Sequence, residues 1–462
     1  MENDINILAT YQNIIGAKLS HLAALSKGYW SHTGNFSLTN LNRWVFGPGT
    51  GLRSIERFFA SPHDWGANSA ELTGSFLARL SGSVSGLLGG WALTADETIG
   101  KKAGHATHGL GFHYSSKDDK VIKSVAVLNL SLLHLGTKLS LPILQEQLLF
   151  STVNKSKKPK KPKTKSATVS PGTHPGGAPK KAGRPKGSKN KPQEALPVAY
   201  TFQVLERVLG SFFQLFATYL SKLIQIRYVV GDGGFGNNTV AKIVMAKNLH
   251  LISKLQYNAA LYFPFEGGYS GKGRPSLYGD KVDYQNLPPD AILKQQTLDN
   301  VTYTVYHFKK MLHKSFDMPI NVVVLVKQKG DKKARPTVLF STDLDASADT
   351  IIQYYRARFQ IEFNFRDARQ FFGLSHFKNI LPAQVTNAIG YAFFMVSLSN
   401  IMLFEIKAKH PDCQLSIQDL KAFFRAEKYL NELLNIPENK AGLFLSQHPQ
   451  LKIPIIGAIN FN

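Results

Sequence analysis

The side chains best suited to chemistry lie between Ser347 and Leu374, where Tyr355, Arg358, Glu362 and Arg369 recur at spacings that a helix turns into a stripe. Cap-type residues Ser347 and Asp349 open the stretch and Gly373 closes it, the usual start and stop signals of one helix. At about 100° per residue the four side chains fall within an arc of about 60°, with Arg366 close beside it. A lone carboxylate in a row of Arg and Tyr can take a hard cation, while planar guanidinium groups grip phosphate oxygens with two hydrogen bonds each. The plain alternative is an amphipathic helix whose Arg358–Glu362 pair is only a solvated salt bridge.

Two further acids stand where a sheet would present them. Trp91-Ala-Leu-Thr-Ala-Asp96-Glu97-Thr98 is a strand-like run ending in two acids, followed by strand candidates at 107–115 and 121–133. Three strands without an intervening helix predict an antiparallel meander. Ile226-Arg-Tyr-Val-Val-Gly-Asp232-Gly-Gly-Phe-Gly then precedes a helix near 239–247 and a strand at 249–254. That is a βαβ unit with Asp232 at the carboxyl end of a strand, where sites of α/β folds form. No Gly-Lys-Ser/Thr occurs, which excludes the P-loop; Gly231, Gly233 and Gly236 do have the Gly-x-Gly-x-x-Gly spacing of a dinucleotide loop, a short pattern that carries little weight by itself.

Tyr, two residues, Arg, three residues, Glu, six residues and a basic residue resembles the YREK signature of a large group of insertion-sequence transposases. Arg369 stands where that family usually has Lys. The resemblance implies an α/β fold, a ribonuclease H-like mixed sheet flanked by helices. It also implies a β-rich insertion and a helical N-terminal DNA-binding domain. It makes Asp96 (with Glu97 as the alternative), Asp232 and Glu362 the catalytic, metal-holding acids. Tyr355, Arg358, Arg366 and Arg369 become DNA contacts. Two Mg²⁺, with Mn²⁺ tolerated, would drive cleavage at element ends and strand transfer by a homodimer in a synaptic complex. A related nuclease that does not join strands, or an inactive DNA-binding derivative, are the rival readings.

A net charge of +24 over 462 residues calls for a polyanionic partner, nucleic acid first. The single cysteine, Cys413, leaves no internal disulfide and no Cys-based zinc site. Met-Glu-Asn-Asp-Ile-Asn lacks the basic-then-apolar start of a signal peptide, so a cytoplasmic, nucleoid-associated protein is expected. The most apolar run, Ala388–Ile406, carries Ser397, Ser399 and Asn400, and reads as a buried core helix rather than a membrane span.

Composition divides the chain. Residues 1–85 are helical, with a helix-turn-helix outline around Gly47-Pro-Gly-Thr-Gly51 that offers Arg53 to DNA. Residues 86–150 and 197–255 form the catalytic sheet. Between them, 151–196 is a basic insertion expected to be disordered; 155–191 holds 13 Lys or Arg and no acid. Its Ala182-Gly-Arg-Pro-Lys resembles an AT-hook, which would put Arg184 and Lys186 in a minor groove. Residues 256–342 alternate like strands, 343–410 carry the Arg-rich helix and the core helix, and 411–462 form a helical tail.

Overall fold

The computed structural model describes residues 22–45, 51–80, 89–115, 118–149, 199–268, 271, 276–298, 300–330, 332–412 and 414–434. The AT-hook-like segment with Arg184 and Lys186, and the rest of the basic insertion, lie outside these residues.

Strands come first in the order that builds the site. β1 (Trp91–Lys101), β2 (Gly111–Ser115), β3 (Lys120–His134) and β4 (Ser140–Leu148) make the expected meander, extended by one strand. β4 escaped the sequence reading because its pattern, Ser-Leu-Pro-Ile-Leu-Gln-Glu-Gln-Leu, contains a proline. The register against β3 shifts between Leu130 and Ser131, and Pro142 sits at that bulge, where a missing N–H does least harm. β5 (Ile226–Gly231) pairs parallel with β1, and β6 (His250–Leu255) parallel with β5. β7 (Leu261–Pro264), β8 (Tyr278–Lys281), β9 (Ile292–Leu298), β10 (Val301–His313), β11 (Ile320–Lys329), β12 (Lys332–Lys333) and β13 (Thr337–Ser341) complete one sheet of 13 strands. β13 pairs directly with β6, so the β-rich segment continues the central sheet.

Helices cover both faces: α1 (Leu22–Ser31), α2 (Leu38–Asn42), α3 (Leu52–Ala60), α4 (Trp65–Leu80), α5 (Tyr200–Tyr219), α6 (Asn238–Met245), α7 (Ala348–Ala357), α8 (Gln360–Phe371), α9 (Pro382–Lys409) and α10 (Ile417–Leu434). This is the mixed, helix-flanked sheet of a ribonuclease H-like fold.

The Arg-rich stretch is two helices rather than one. Ser347 caps α7 by accepting from the Thr350 N–H, and Gly373 closes α8 at a φ of +75°, as their residue types required. Between them, Ile361 N donates to Arg358 O at 3.0 Å and Glu362 N to Phe359 O at 3.0 Å, the tighter i→i−3 pattern. The cause is the sheet beneath. α7 buries Ile351, Ile352 and Tyr354 over Tyr228, Val230, Ile252 and Leu339. α8 lies instead over β1 and β4. Adjacent strands rotate by about 20–25°, so a straight rod could not stay in contact with both groups.

α9 has the length and apolarity to cross a membrane, yet most of it is buried inside the fold. Its polar side chains explain why. Trp65 Nε1 donates to Asn387 Oδ1 at 2.9 Å, while Asn387 Nδ2 donates to the carbonyls of Phe59 (2.7 Å) and Ser61 (2.6 Å). Trp30 Nε1 donates to Ser399 Oγ at 2.8 Å, and Ser397 Oγ to the Pro142 carbonyl at 2.7 Å. The N-terminal helices thereby share one core with α9. Asn387→Ala leaves the Trp65 donor and the Phe59 carbonyl buried and unpaired; a loss of about 3 kcal/mol in chemical denaturation is expected.

Candidate active site

Two parallel strands bring the first two acids together. β1 and β5 pair with Ala95 opposite Gly231, so the next residue of each strand is Asp96 and Asp232. Side chains alternate along β1, and Asp96 therefore shares the face of Ala92, which packs under α7. Glu97 points the other way, where Thr201 of α5 hydrogen-bonds it. Burial raises the Glu97 pKa, with Asp232 adding to the effect.

Asp232 opens a turn that its own atoms hold. Its Oδ1 accepts from the Gly234 N–H at 2.9 Å and its carbonyl from Ser253 Oγ at 2.5 Å. The glycine at 236 has an internal reason: a Cβ there would lie 2.4 Å from the Lys254 carbonyl oxygen.

The break between α7 and α8 supplies the counter-charge. Arg358, at the break, donates from Nη1 to Asp96 Oδ2 at 3.1 Å and from Nη2 to Glu362 Oε1 at 3.4 Å. Its Nε is buried and makes no hydrogen bond. Tyr355 lies against the same group, its ring 5.6 Å from the guanidinium carbon. Burial raises the Tyr355 pKa first, Arg358 opposes it, and the charges of Asp232 and Asp96 add to the rise, which puts the phenol near both acids. Arg369 lies one step along β1, donating Nη1 to Thr98 Oγ1 at 3.3 Å and Nε to the Phe365 carbonyl at 3.1 Å.

Asp96, Asp232, Glu362, Tyr355, Arg358 and Arg369 thus meet at one place. Arg366 does not join them; it pairs with Asp367 at 2.9 Å and stands over the Phe363 ring at 4.7 Å. Arg53 is exposed on α3, whose buried residues are Ile55, Phe58 and Phe59.

Like charges crowded in a dry place should resist ionising, and Asp96 does. Its pKa is pushed up to about 7, chiefly by burial and next by Asp232, with Glu362 adding a little and Arg358 opposing. This donor set fits a hard divalent ion in its chemistry: oxygen ligands from three elements and an unmet demand for positive charge. In its present arrangement the guanidinium of Arg358 bridges Asp96 and Glu362. Among the described residues, no three acids or histidines converge as a finished cage.

The sequence reading missed a polar chain behind this site. Asn129 is the cross-strand neighbour of Asp96 and is fully buried. Its Oδ1 accepts from Ser131 Oγ at 2.6 Å, and Ser131 Oγ accepts from Asn364 Nδ2 at 3.2 Å. Asn364 Nδ2 also donates to Ser140 Oγ at 2.8 Å. An Asn and two Ser in apolar strands look incidental until β3, β4 and α8 are brought together.

Residues 13–313 match the family model of the DDE superfamily endonucleases, and the chain belongs to that family. The match spans Asp96 and Asp232 and stops short of Glu362, whose place in the cluster rests on geometry. No curated protein matches the chain in sequence.

Asp96→Asn tests the electrostatics without DNA. A carboxyl with a folded pKa of about 7 and an ordinary unfolded value near 4 makes the wild type lose stability as pH rises through that window. The Tm of Asp96→Asn minus that of wild type should therefore grow between about pH 4 and 7 and level off above. A flat difference would mean that Asp96 is not held protonated.

Proposed function

We propose that this chain is a transposase of the insertion-sequence type, cutting DNA at element ends and joining the freed 3′-hydroxyl to target DNA. The observation that supports it most is that Arg358 bridges Asp96 and Glu362, with Asp232 next to Asp96 and with Tyr355 and Arg369 beside them. Acids alone would suit many metal enzymes. Acids faced by two guanidinium groups and a phenol suit a phosphodiester.

Asp96, Asp232 and Glu362 would hold two Mg²⁺, or Mn²⁺ in their place. When bound, such ions activate the attacking oxygen and stabilise the leaving one in an in-line displacement. The chain's own residues do the rest. Arg358, released from the acids, turns its planar fork to the phosphate oxygens, and its low exposure keeps water from competing. Arg369, anchored on Thr98 and Phe365, offers a second positive charge one step along β1. The YREK reading tolerates Arg at this position because charge and phosphate affinity are kept. Arg366, Arg53, Arg184 and Lys186 contact the DNA backbone or grooves away from the chemistry. Two copies would hold two element ends in a synaptic complex, in a cytoplasmic, nucleoid-associated setting.

Two residues one turn apart should fail differently. Glu362→Gln keeps shape and removes charge; end binding in Ca²⁺ should be normal or slightly tighter, with no cutting in Mg²⁺. Arg358→Ala removes a charge-assisted clamp of about 1.5–3 kcal/mol, so binding should weaken by about one to two decades, with residual cutting at high protein. Equal loss of binding in both would sink the division of labour. Joining is tested separately, by incubating pre-cut labelled ends with a plasmid: labelled plasmid supports a transposase, and cutting without joining leaves a nuclease.

Deleting 155–191 should flatten the salt dependence of DNA binding by several units of slope, since each phosphate contact contributes about 0.9, while cutting at saturating DNA persists. An unchanged slope would show that this segment does not touch DNA.

A further inference from the structure

The polar chain behind the acids has a direction, and the direction points at Asp96. Asn400 Nδ2 donates to Asn364 Oδ1 at 3.5 Å and to the Ser140 carbonyl at 3.0 Å. Asn364 Nδ2 donates onward to Ser131 Oγ. Because that hydroxyl already receives a hydrogen bond, its single hydrogen is free to go to Asn129, and it meets Oδ1 at 2.6 Å. The Asn129 amide is thereby fixed: Oδ1 faces Ser131 and Nδ2 is left over. That Nδ2 is buried and has no hydrogen-bond partner.

An orphaned, buried donor of this kind needs a reason, because leaving it unpaired costs about 1–3 kcal/mol. The strand register provides one. Asn129 is directly opposite Asp96 on the same face, and side chains so paired have Cβ atoms about 4.5–5.5 Å apart. Asp96 Oδ1 is already engaged by the Glu97 N–H at 2.8 Å, whereas Oδ2 is held by Arg358.

We infer that Asn129 is a positioning residue: its Nδ2 donates to the Asp96 carboxylate once Arg358 leaves that group for phosphate. The hydrogen bond Arg358 gives up is replaced by one from a rigid amide, so Asp96 keeps its rotamer when the acid turns from guanidinium to metal. Asn364, two residues beyond Glu362 on α8, holds the other end of the chain. The same network therefore sets the distance between the strand of Asp96 and the helix of Glu362.

The inference rests on the acids being metal ligands, and the test separates the two ideas. Mn²⁺ affinity is measured by electron paramagnetic resonance on full-length wild type, Asp96→Asn, Asn129→Ala and Ser131→Ala. Loss of a partner that orients a metal ligand typically costs ten- to a hundredfold in affinity, and Asn129→Ala should show that loss. Ser131→Ala frees the amide to turn and should show a smaller loss. If Asp96→Asn weakens Mn²⁺ binding and Asn129→Ala, folded, binds as wild type, the inference is overturned and the metal reading survives. If Asp96→Asn binds as wild type, the metal reading itself fails. A second measurement needs no variant: the Asn129 side-chain amide signals, from selectively labelled wild type with DNA, should move downfield when Mg²⁺ is added. Signals that stay in place would also overturn the inference.

Discussion

Everything in this molecule turns on one guanidinium that bridges two carboxylates beside a third: Arg358 pairs with Asp96 and Glu362, and Asp232 is the neighbour of Asp96. Asp96 and Asp232 are neighbours because two parallel strands end side by side, and Glu362 joins them from a helix that bends to reach them. Burial and the neighbouring acids push the Asp96 carboxyl up, and Arg358 supplies opposing positive charge from within. The internal ion pair is incomplete: two of its three nitrogens are used, one contact is long, and the third nitrogen is buried without a hydrogen bond. In the proposed function the cluster would exchange partners, phosphate taking the arginine and metal taking the acids.

The fold's less obvious features serve that balance. The turn at Arg358–Phe359 lets α7 and α8 follow a twisted sheet, and it also aims Arg358 at the acids. α9 spends polar residues inside an apolar core, and each one ties down a neighbour: Asn387 and Ser399 hold the N-terminal helices, Ser397 holds β4, and Asn400 holds α8. The elements carrying the acids are consequently set by contacts far from them.

Much of this was legible in the sequence, for physical reasons that can be named. Parallel β5 and its turn announced themselves through an apolar run, an Asp and glycines, and the ends of α7 and α8 through Ser347 and Gly373. The spacing from Tyr355 to Arg369 survived the break because the i→i−3 turn changes direction while leaving Tyr355, Arg358 and Glu362 close together. The break itself was invisible, since no proline or glycine marks it and its cause is the twist of a sheet built from distant segments. That Asp96 and Glu97 stand on opposite faces could be seen only once β1 had a register. β4 was hidden by Pro142, and the Asn129 chain by the fact that its members are scattered over about 270 residues of sequence. Local chemistry writes itself into local sequence; pairings across the fold do not.

One measurement addresses the central claim directly. Fe²⁺ placed in the Mg²⁺ site of the full-length protein, with ascorbate and peroxide, produces hydroxyl radicals that cut the polypeptide beside the metal. Mapping those cuts by mass spectrometry should give three clusters, at β1 near Asp96, at the turn of Asp232 and at the start of α8 near Glu362, all suppressed by excess Mg²⁺. Cuts confined to other segments, or cuts at β1 that vanish in Glu97→Gln and persist in Asp96→Asn, would contradict the account.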